Sequence, residues 1–153
     1  MKWISEAASV ATKSSCLRAH CGAVIVKDAK IIGSGFNSPP QNKSEHRTCL
    51  DEYEISAGFR HDRTCCIHAE QRAIHDAMKE GQDMTGATIY FCGLEDNGEK
   101  KQAHRTVCTI CSRAVLDAGI KYFVLYWTDG VRVYDTQEFN KSSHEYKTPK
   151  KQR

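Results

Sequence analysis

The sequence contains no apolar run that approaches the ~20 residues needed for a membrane-spanning helix. Its first residues, Met-Lys-Trp-Ile-Ser-Glu, carry charge but lack the apolar segment of a secretory signal peptide. Internal repeats are absent, and no low-complexity segment precedes the basic end of the chain. These absences argue against a membrane-spanning, secreted or repeat protein, and they make the cytoplasm the expected location.

An excess of one charge is also lacking. The 22 basic and 19 acidic residues leave a net charge of only +3, and much of that excess lies at the end of the chain. We expect residues 141–153 to form a basic, flexible tail and residues 1–140 to form a single domain. No basic stretch is interleaved with aromatic residues, so a small-molecule partner is favoured over nucleic acid.

Cysteine, in contrast, is abundant. Without a secretion signal, the cysteines are better explained as metal ligands or core thiols than as a disulfide framework. The eight are Cys16, Cys21, Cys49, Cys65, Cys66, Cys92, Cys108 and Cys111. Of these, Cys21 and Cys92 lie within or beside apolar strands, where we expect small core residues.

Apolar periodicity predicts the element order αββαβαββ, an α/β fold in which helices cover a sheet. Helices are predicted over 3–14, 68–80 and 108–118. Strands are predicted over 22–28, 30–36, 87–92, 121–127 and 131–135. The Asp129-Gly130 pair between the last two runs is a hairpin signal, so strand five should run antiparallel to strand four. Residues 41–64 and 93–105 are polar and read as loops, and the first is long enough to suggest a functional or metal-tied segment.

A catalytic zinc site is the chemistry that these residues fit best. Such a site has three protein ligands and keeps one position for water. His68, Cys108 and Cys111 supply that set, with each motif at the start of a predicted helix, where the helix dipole favours thiolates. Glu70 follows His68 by two residues, which places a carboxylate beside the metal without making it a ligand, as a proton shuttle requires.

Other readings of these motifs stay open at this point. Cys108-Thr-Ile-Cys111 is also the spacing of a redox pair, although that motif ordinarily follows the first strand of its fold. A purely structural zinc site would also use His68 and the two cysteines, but it has no need of Glu70. A zinc-stabilised module that binds a nucleotide or a partner without turnover is therefore the alternative to an enzyme.

His68-Ala69-Glu70 with Cys108-x-x-Cys111 resembles the signature of zinc-dependent deaminases of cytosine and adenine. Four further segments extend the likeness to the cytidine and deoxycytidylate deaminase superfamily over about residues 3–127, with the first half most like deoxycytidylate deaminases. These segments are Gly22-Ala-Val-Ile-Val, Ile31-Ile-Gly-x-Gly-Phe-Asn37, Ala87-Thr-Ile-Tyr and Asp117-Ala-Gly-Ile-Lys121.

The resemblance implies a three-layer sandwich around a mixed five-stranded sheet, and it implies an oligomer. It also implies hydrolytic removal of the amino group at C4 of a cytosine ring, with zinc held by His68, Cys108 and Cys111. Glu70 would protonate N3 and then the departing amine. By the same resemblance, Asn37 would bond the sugar and the backbone amide of Ala69 the ring carbonyl.

The chain departs from the family pattern in three places, two of which bear on the substrate. The family's proline before Cys-x-x-Cys is Val107 here, and residues 93–105 resemble an insertion that could wall the pocket. The hairpin at Asp129-Gly130 is similar to the free-nucleoside branch. Deoxycytidylate, deoxycytidine and cytidine are therefore all candidate substrates, with cytosine or adenosine in nucleic acid, or guanine, as alternatives.

The cysteines of the long polar loop suggest a second, structural zinc ion. The resemblance to deoxycytidylate deaminases also implies such an ion, because some of them carry one near this place. The candidate ligands are Cys49, His61, Cys65 and Cys66, with Cys16 or His46.

Overall fold

The computed structural model describes residues 1–49, 65–106 and 108–145. Within these ranges it contains four α-helices, which are α1 (Lys2–Ala11), α2 (Ala69–Lys79), α3 (Thr109–Asp117) and α4 (Thr136–Glu145), and two single-turn 3-10 helices at Pro40–Asn42 and Ser44–His46. Its strands are β1 (His20–Lys27), β2 (Lys30–Phe36), β3 (Thr88–Leu94), β4 (Lys100–Lys101), β5 (Tyr122–Trp127) and β6 (Gly130–Asp135). No helix in these ranges is long and apolar enough to cross a membrane.

The strands form one mixed sheet in the order β2-β1-β3-β5-β6, with the two-residue β4 paired to β3 outside this path. Strands β3 and β5 are parallel, whereas the neighbours β1–β2, β1–β3 and β5–β6 are antiparallel. The predicted five-stranded mixed sheet and its final antiparallel hairpin are therefore confirmed, and β4 adds a short sixth strand.

Helices cover both faces of the sheet. On one face, Ile4 and Ala7 of α1 pack with Val24 and Cys92 from the strands. On the other face, α2, α3 and α4 share one core with Ile25, Ile89 and Phe123. Alternate residues of β1 thus point to opposite helical layers, as the two-residue period of a strand requires. The three-layer sandwich is confirmed.

Glycines bring two helices unusually close to the sheet. A Cβ atom at Gly35 would clash with the backbone of Ala69 and Ala73 in α2, and one at Gly33 would clash with the Ala73 carbonyl. On the opposite face, a Cβ atom at Gly22 would clash with the backbone of α1. The backbone of each helix therefore contacts the strand directly, and this contact sets the height of each helix above the sheet.

Helix α4 was not predicted. Its sequence, Thr-Gln-Glu-Phe-Asn-Lys-Ser-Ser-His-Glu, is polar and has a single large apolar residue, Phe139. That ring is fully buried and stacks on Phe123 with centroids 4.1 Å apart. One aromatic contact thus docks a helix that shows no apolar stripe. The predicted domain boundary at residue 140 falls inside this helix.

Candidate metal centre

His68, Cys108 and Cys111 meet at one point between α2 and α3. Their ligand atoms all lie within 4.8 Å of one another, and among the described residues they are the one such group of three or more. The His68 Nδ1 atom lies 3.1 Å from the Cys111 sulfur and 3.8 Å from the Cys108 sulfur. Tetrahedral zinc with ordinary bond lengths requires nitrogen–sulfur separations of ~3.6 Å. The donor set and its spacing therefore fit a zinc ion.

Two helix starts bring these ligands together. His68 is the residue that precedes α2, and its N–H donates to Gln71 Oε1 at 3.2 Å. Cys108 precedes α3 in the same way, and Cys111 lies within the first turn. Both helices pack on the same face of the sheet, so their positive N-terminal ends face one site. The positive end of a helix favours a thiolate over a thiol.

The two thiols of the group are linked by a hydrogen bond. A hydrogen bond from Cys111 is the main reason that the pKa of Cys108 is lowered to about 3, with His68 adding to the effect. Donating that bond, together with burial, raises the pKa of Cys111 well above its ordinary value. Burial acts to lower the pKa of His68, but the Cys108 thiolate and the Glu70 carboxylate outweigh it and raise that pKa.

Glu70 lies in the first turn of α2 and is only 5% exposed. Burial raises the pKa of its carboxyl, and the charge of His68 opposes that effect. The Cys111 thiol is within hydrogen-bonding reach of the Glu70 carboxylate. A buried carboxylic group thus sits beside the metal ligands, where it can exchange protons with a reacting molecule.

A cavity of about 220 Å³ opens over this group. Asn37 and Ala69, the two residues expected to bind substrate, both line it, together with His68, Glu70 and Cys108. Ala69 is the first residue of α2, where backbone N–H groups have no partner within the helix. Five of the six sequence-predicted site residues therefore line one cavity, and the sixth, Cys111, has its sulfur within 4.8 Å of the ligand atoms of His68 and Cys108. None of the described residues in the 93–105 stretch lines the cavity, so these residues do not support the expected wall.

The 93–105 stretch has a different structure from the loop that was expected. Strand β3 continues to Leu94, and Gly93 and Leu94 pair with Lys101 and Lys100 of β4. The turn between them lies at the edge of a separate polar groove against α1, lined in part by Ser5, Ser9 and Lys100. Val107 lies outside the described residues.

Five further cysteines line the same cavity as the metal group: Cys21, which lies in β1, and the four outside the strands, Cys16, Cys49, Cys65 and Cys66. The Cys65 and Cys66 sulfurs are 4.0 Å apart, and hydrogen bonds link Cys16 to Cys66 and Cys49 to Cys65. The four thiols form a chain of neighbours rather than a closed set. His46 is exposed, and the predicted ligand His61 lies outside the described residues.

Sequence reasoning missed one residue near the cavity. Ser14 lies just after α1, and its hydroxyl contacts Asn37 Oδ1 at 2.6 Å. A lone serine between a helix and a strand belongs to no motif that would predict this contact, and its partner lies 23 residues further along the chain.

Comparison with known proteins agrees with this geometry. A deoxycytidylate deaminase of Mycobacterium phage D29 is 29% identical over 132 residues, which cover 80% of this chain and 89% of that protein. ComE operon protein 2 of Bacillus subtilis is 27% identical over 132 residues, and the match spans 86% of this chain but only 60% of the length of that relative. The crystal structure of a cytidine deaminase from Burkholderia pseudomallei shares the fold, with a TM-score of 0.60 at 19% identity, over 90% of this chain and 93% of that one.

The family match covers most of the chain. Residues 1–127 match the family described as "Cytidine and deoxycytidylate deaminase zinc-binding region", and this range contains the His68, Cys108 and Cys111 group. From the match and from a ligand set that fits zinc, the chain belongs to the cytidine and deoxycytidylate deaminase zinc-binding family.

Proposed function

We propose that the protein is a zinc-dependent hydrolytic deaminase that converts a cytosine nucleoside or nucleotide to the uracil product with release of ammonia. The observation that carries the proposal is the buried Glu70 carboxyl next to the His68, Cys108 and Cys111 group, at the floor of a cavity. A structural zinc site has no use for a buried carboxylic group outside its ligands. A non-catalytic module is therefore the weaker explanation.

Metal binding and proton transfer would be carried out by different residues. His68, Cys108 and Cys111 would hold the zinc ion, which lowers the pKa of water from about 15.7 to ~7 and so makes hydroxide available at neutral pH. Glu70 would carry two protons in turn. It would take the first from the attacking water and give it to N3 of the ring, and it would take the second from the new hydroxyl at C4 and give it to the departing amino group, so that C4 becomes a carbonyl. One water molecule is consumed, the C4–N bond breaks, and ammonia leaves.

Substrate orientation would come from two other groups. The unpartnered N–H of Ala69 at the start of α2 would donate to the ring carbonyl. The Asn37 side chain, which is 8% exposed, would donate to the sugar. Deoxycytidylate is the first substrate to test, because the phage relative that matches most of this chain is named for that reaction.

A second, structural zinc ion is a further part of the proposal. Its support is the chain of neighbouring thiols formed by Cys16, Cys66, Cys65 and Cys49 at the rim of the cavity. Soft thiolate ligands favour zinc, and a metal there would tie the segment after α1 to the segment before α2.

The test is ammonia release from a panel of cytidine, deoxycytidine, their monophosphates, guanine and a short single-stranded oligonucleotide. Glu70→Gln should lower kcat/KM about 10²–10⁴-fold on the preferred substrate, because it removes the proton shuttle. Zinc content, measured by elemental analysis, should stay at the wild-type value, since Glu70 is not a ligand.

Glu80→Gln is the matched control. It changes the same side chain at the exposed C-terminal end of the same helix, and we expect wild-type rates from it. Full activity in Glu70→Gln would contradict the mechanism, and a wild-type protein inactive on the whole panel would contradict the function. Preference for the oligonucleotide or guanine would overturn the substrate class.

A further inference from the structure

The Asn37 side chain is held by three hydrogen bonds from its surroundings. Its Oδ1 atom accepts from the Cys21 backbone N–H at 2.8 Å and from the Ser14 hydroxyl at 2.6 Å. The same hydroxyl also lies 2.8 Å from the main-chain carbonyl oxygen of Asn37, so it contacts both acceptors of this residue. Its Nδ2 atom donates to the Ala19 carbonyl at 2.7 Å. Because a backbone N–H faces the amide oxygen and a backbone carbonyl faces the amide nitrogen, a 180° flip of the Asn37 amide would break both hydrogen bonds. The orientation of the amide is therefore determined by its partners.

These bonds leave Asn37 with a single unused function. An asparagine side chain can accept two hydrogen bonds at its oxygen and donate two from its nitrogen. Both acceptor positions of Asn37 are taken and one N–H is taken, so among its contacts with described residues one N–H has no partner. Asn37 lines the cavity, so that N–H is available to a bound molecule. It can recognise only an acceptor atom.

Ser14 is well placed to enforce this arrangement without touching a ligand. It is not among the described residues that line the cavity. Its own N–H donates to Ala11 at the end of α1, and its oxygen accepts from the Cys16 N–H at 3.2 Å. Because Cys16 N–H occupies an acceptor site of Ser14, the serine hydroxyl is directed to donate towards Asn37.

The seating of α1 on the sheet fixes the position of Ser14. Gly22 brings β1 into direct contact with the backbone of Ala7 and Ala11, one turn before Ser14. The same strand supplies the Cys21 N–H that binds Asn37. The donors to Asn37 Oδ1 are thus mounted on two elements whose separation is set by backbone contact.

We propose that Ser14 is a positioning residue for substrate recognition, which holds Asn37 so that its one remaining N–H donates to a hydroxyl oxygen of the substrate's sugar. The proposal rests on the function proposed above. Ser14 acts through Asn37, so its loss should affect substrates that carry the sugar hydroxyl and spare those that lack it.

The experiment compares deoxycytidine 5′-monophosphate with its 2′,3′-dideoxy analogue, or the matching nucleosides if the wild type prefers them. In the wild type, kcat/KM should be higher for the substrate with the hydroxyl. Ser14→Ala should reduce that preference about tenfold, mainly through KM, because it removes one hydrogen bond that orients Asn37. The preference is a ratio within one protein sample, so partial misfolding of a variant does not change it.

Two variants complete the design. Ser14→Thr keeps the hydroxyl and should restore the preference. Ser15→Ala removes the neighbouring hydroxyl, which bonds Asn42 rather than Asn37, and should leave the preference at the wild-type value.

Three results would overturn the proposal. An equal loss on both substrates in Ser14→Ala would mean a general structural role, and an unchanged preference would mean no role. A wild type that is active but does not distinguish the two substrates would show that Asn37 does not read this hydroxyl. Inactivity of the wild type on every cytosine compound would instead refute the function, and the role of Ser14 would fall with it.

Discussion

Asn37 and Glu70 line one cavity but are held in different ways. Asn37 is surrounded by partners that satisfy all but one of its hydrogen-bonding groups. Glu70 is buried with Cys111 as its side-chain partner in the described structure, so its carboxyl is free to change protonation. A rigid amide suits recognition, whereas a carboxyl with few partners suits proton transfer.

At the scale of single residues, the four neighbouring thiols that line the cavity lead to a prediction of how many zinc ions each chain binds. With a structural zinc ion bound there, the wild type should contain two zinc ions per chain after desalting. Cys16→Ser should contain one, because it removes a thiolate ligand that neighbours Cys66. Elemental analysis measures this number directly.

Cys92→Ser is the control for that count. Cys92 is buried under α1, on the face of the sheet opposite the α2 and α3 layer, and its loss should leave two zinc ions in place. One zinc ion per chain in the wild type would rule out the second site.

At the scale of elements, the height of α2 above the sheet depends on Gly33 and Gly35. Because β2 has no side chain at these positions, the first turn of α2 lies directly on the strand. The same turn contains Glu70 and follows His68. The close packing at these two glycines therefore sets the position of the first turn of α2, and a larger residue at either position would push that turn away from the sheet.

Gly35→Ala should lower the free energy of unfolding by about 1–3 kcal/mol, because the new methyl group clashes with the backbone of α2. Urea unfolding followed by circular dichroism measures the change. Gly93→Ala is the matched control in β3, where the nearest atom would be the Lys101 Cβ at 3.5 Å, an ordinary contact. A cost as small as that of the control would contradict direct backbone seating.

Elements with strong local signals could be predicted from the sequence, whereas elements that depend on tertiary contacts could not. The β2 bounds agree at residues 30–36, and α2 and α3 differ from prediction by one residue at each end. Helix α4 and strand β4 were missed, since Phe139 is the one large apolar residue of α4 and β4 has only two paired residues. The Ser14 contact was missed for a similar reason, because it joins residues that no motif connects.

At the scale of the whole molecule, α4 belongs to the folded domain rather than to the tail. Ser143 is buried, and its hydroxyl lies 2.7 Å from that of Ser112, the residue after Cys111. Asn140 Oδ1 also accepts a hydrogen bond from Ser112 at 2.9 Å. The last helix among the described residues thus supports α3, the helix that begins at the Cys108 and Cys111 thiols of the candidate metal centre.

A chain truncated after Asn140 should therefore be less stable than one truncated after Glu145, by about 1 kcal/mol, because the truncation removes the buried Ser143 hydroxyl that lies 2.7 Å from that of Ser112. Thermal unfolding of the two truncated proteins measures the difference. Equal stability would place the domain boundary at residue 140 after all.

The meeting of His68 and Cys108 has a consequence for the order in which the chain assembles. The two residues are 40 positions apart, and strands β3 and β4 lie between them. Bringing the ends of such a ring together costs chain entropy, which the pairing of β3 with β1 offsets. We therefore expect the full ligand set to form only after β3 has paired with β1. A chain in which β3 has not yet paired with β1 would therefore lack the complete set of three ligands for a metal ion.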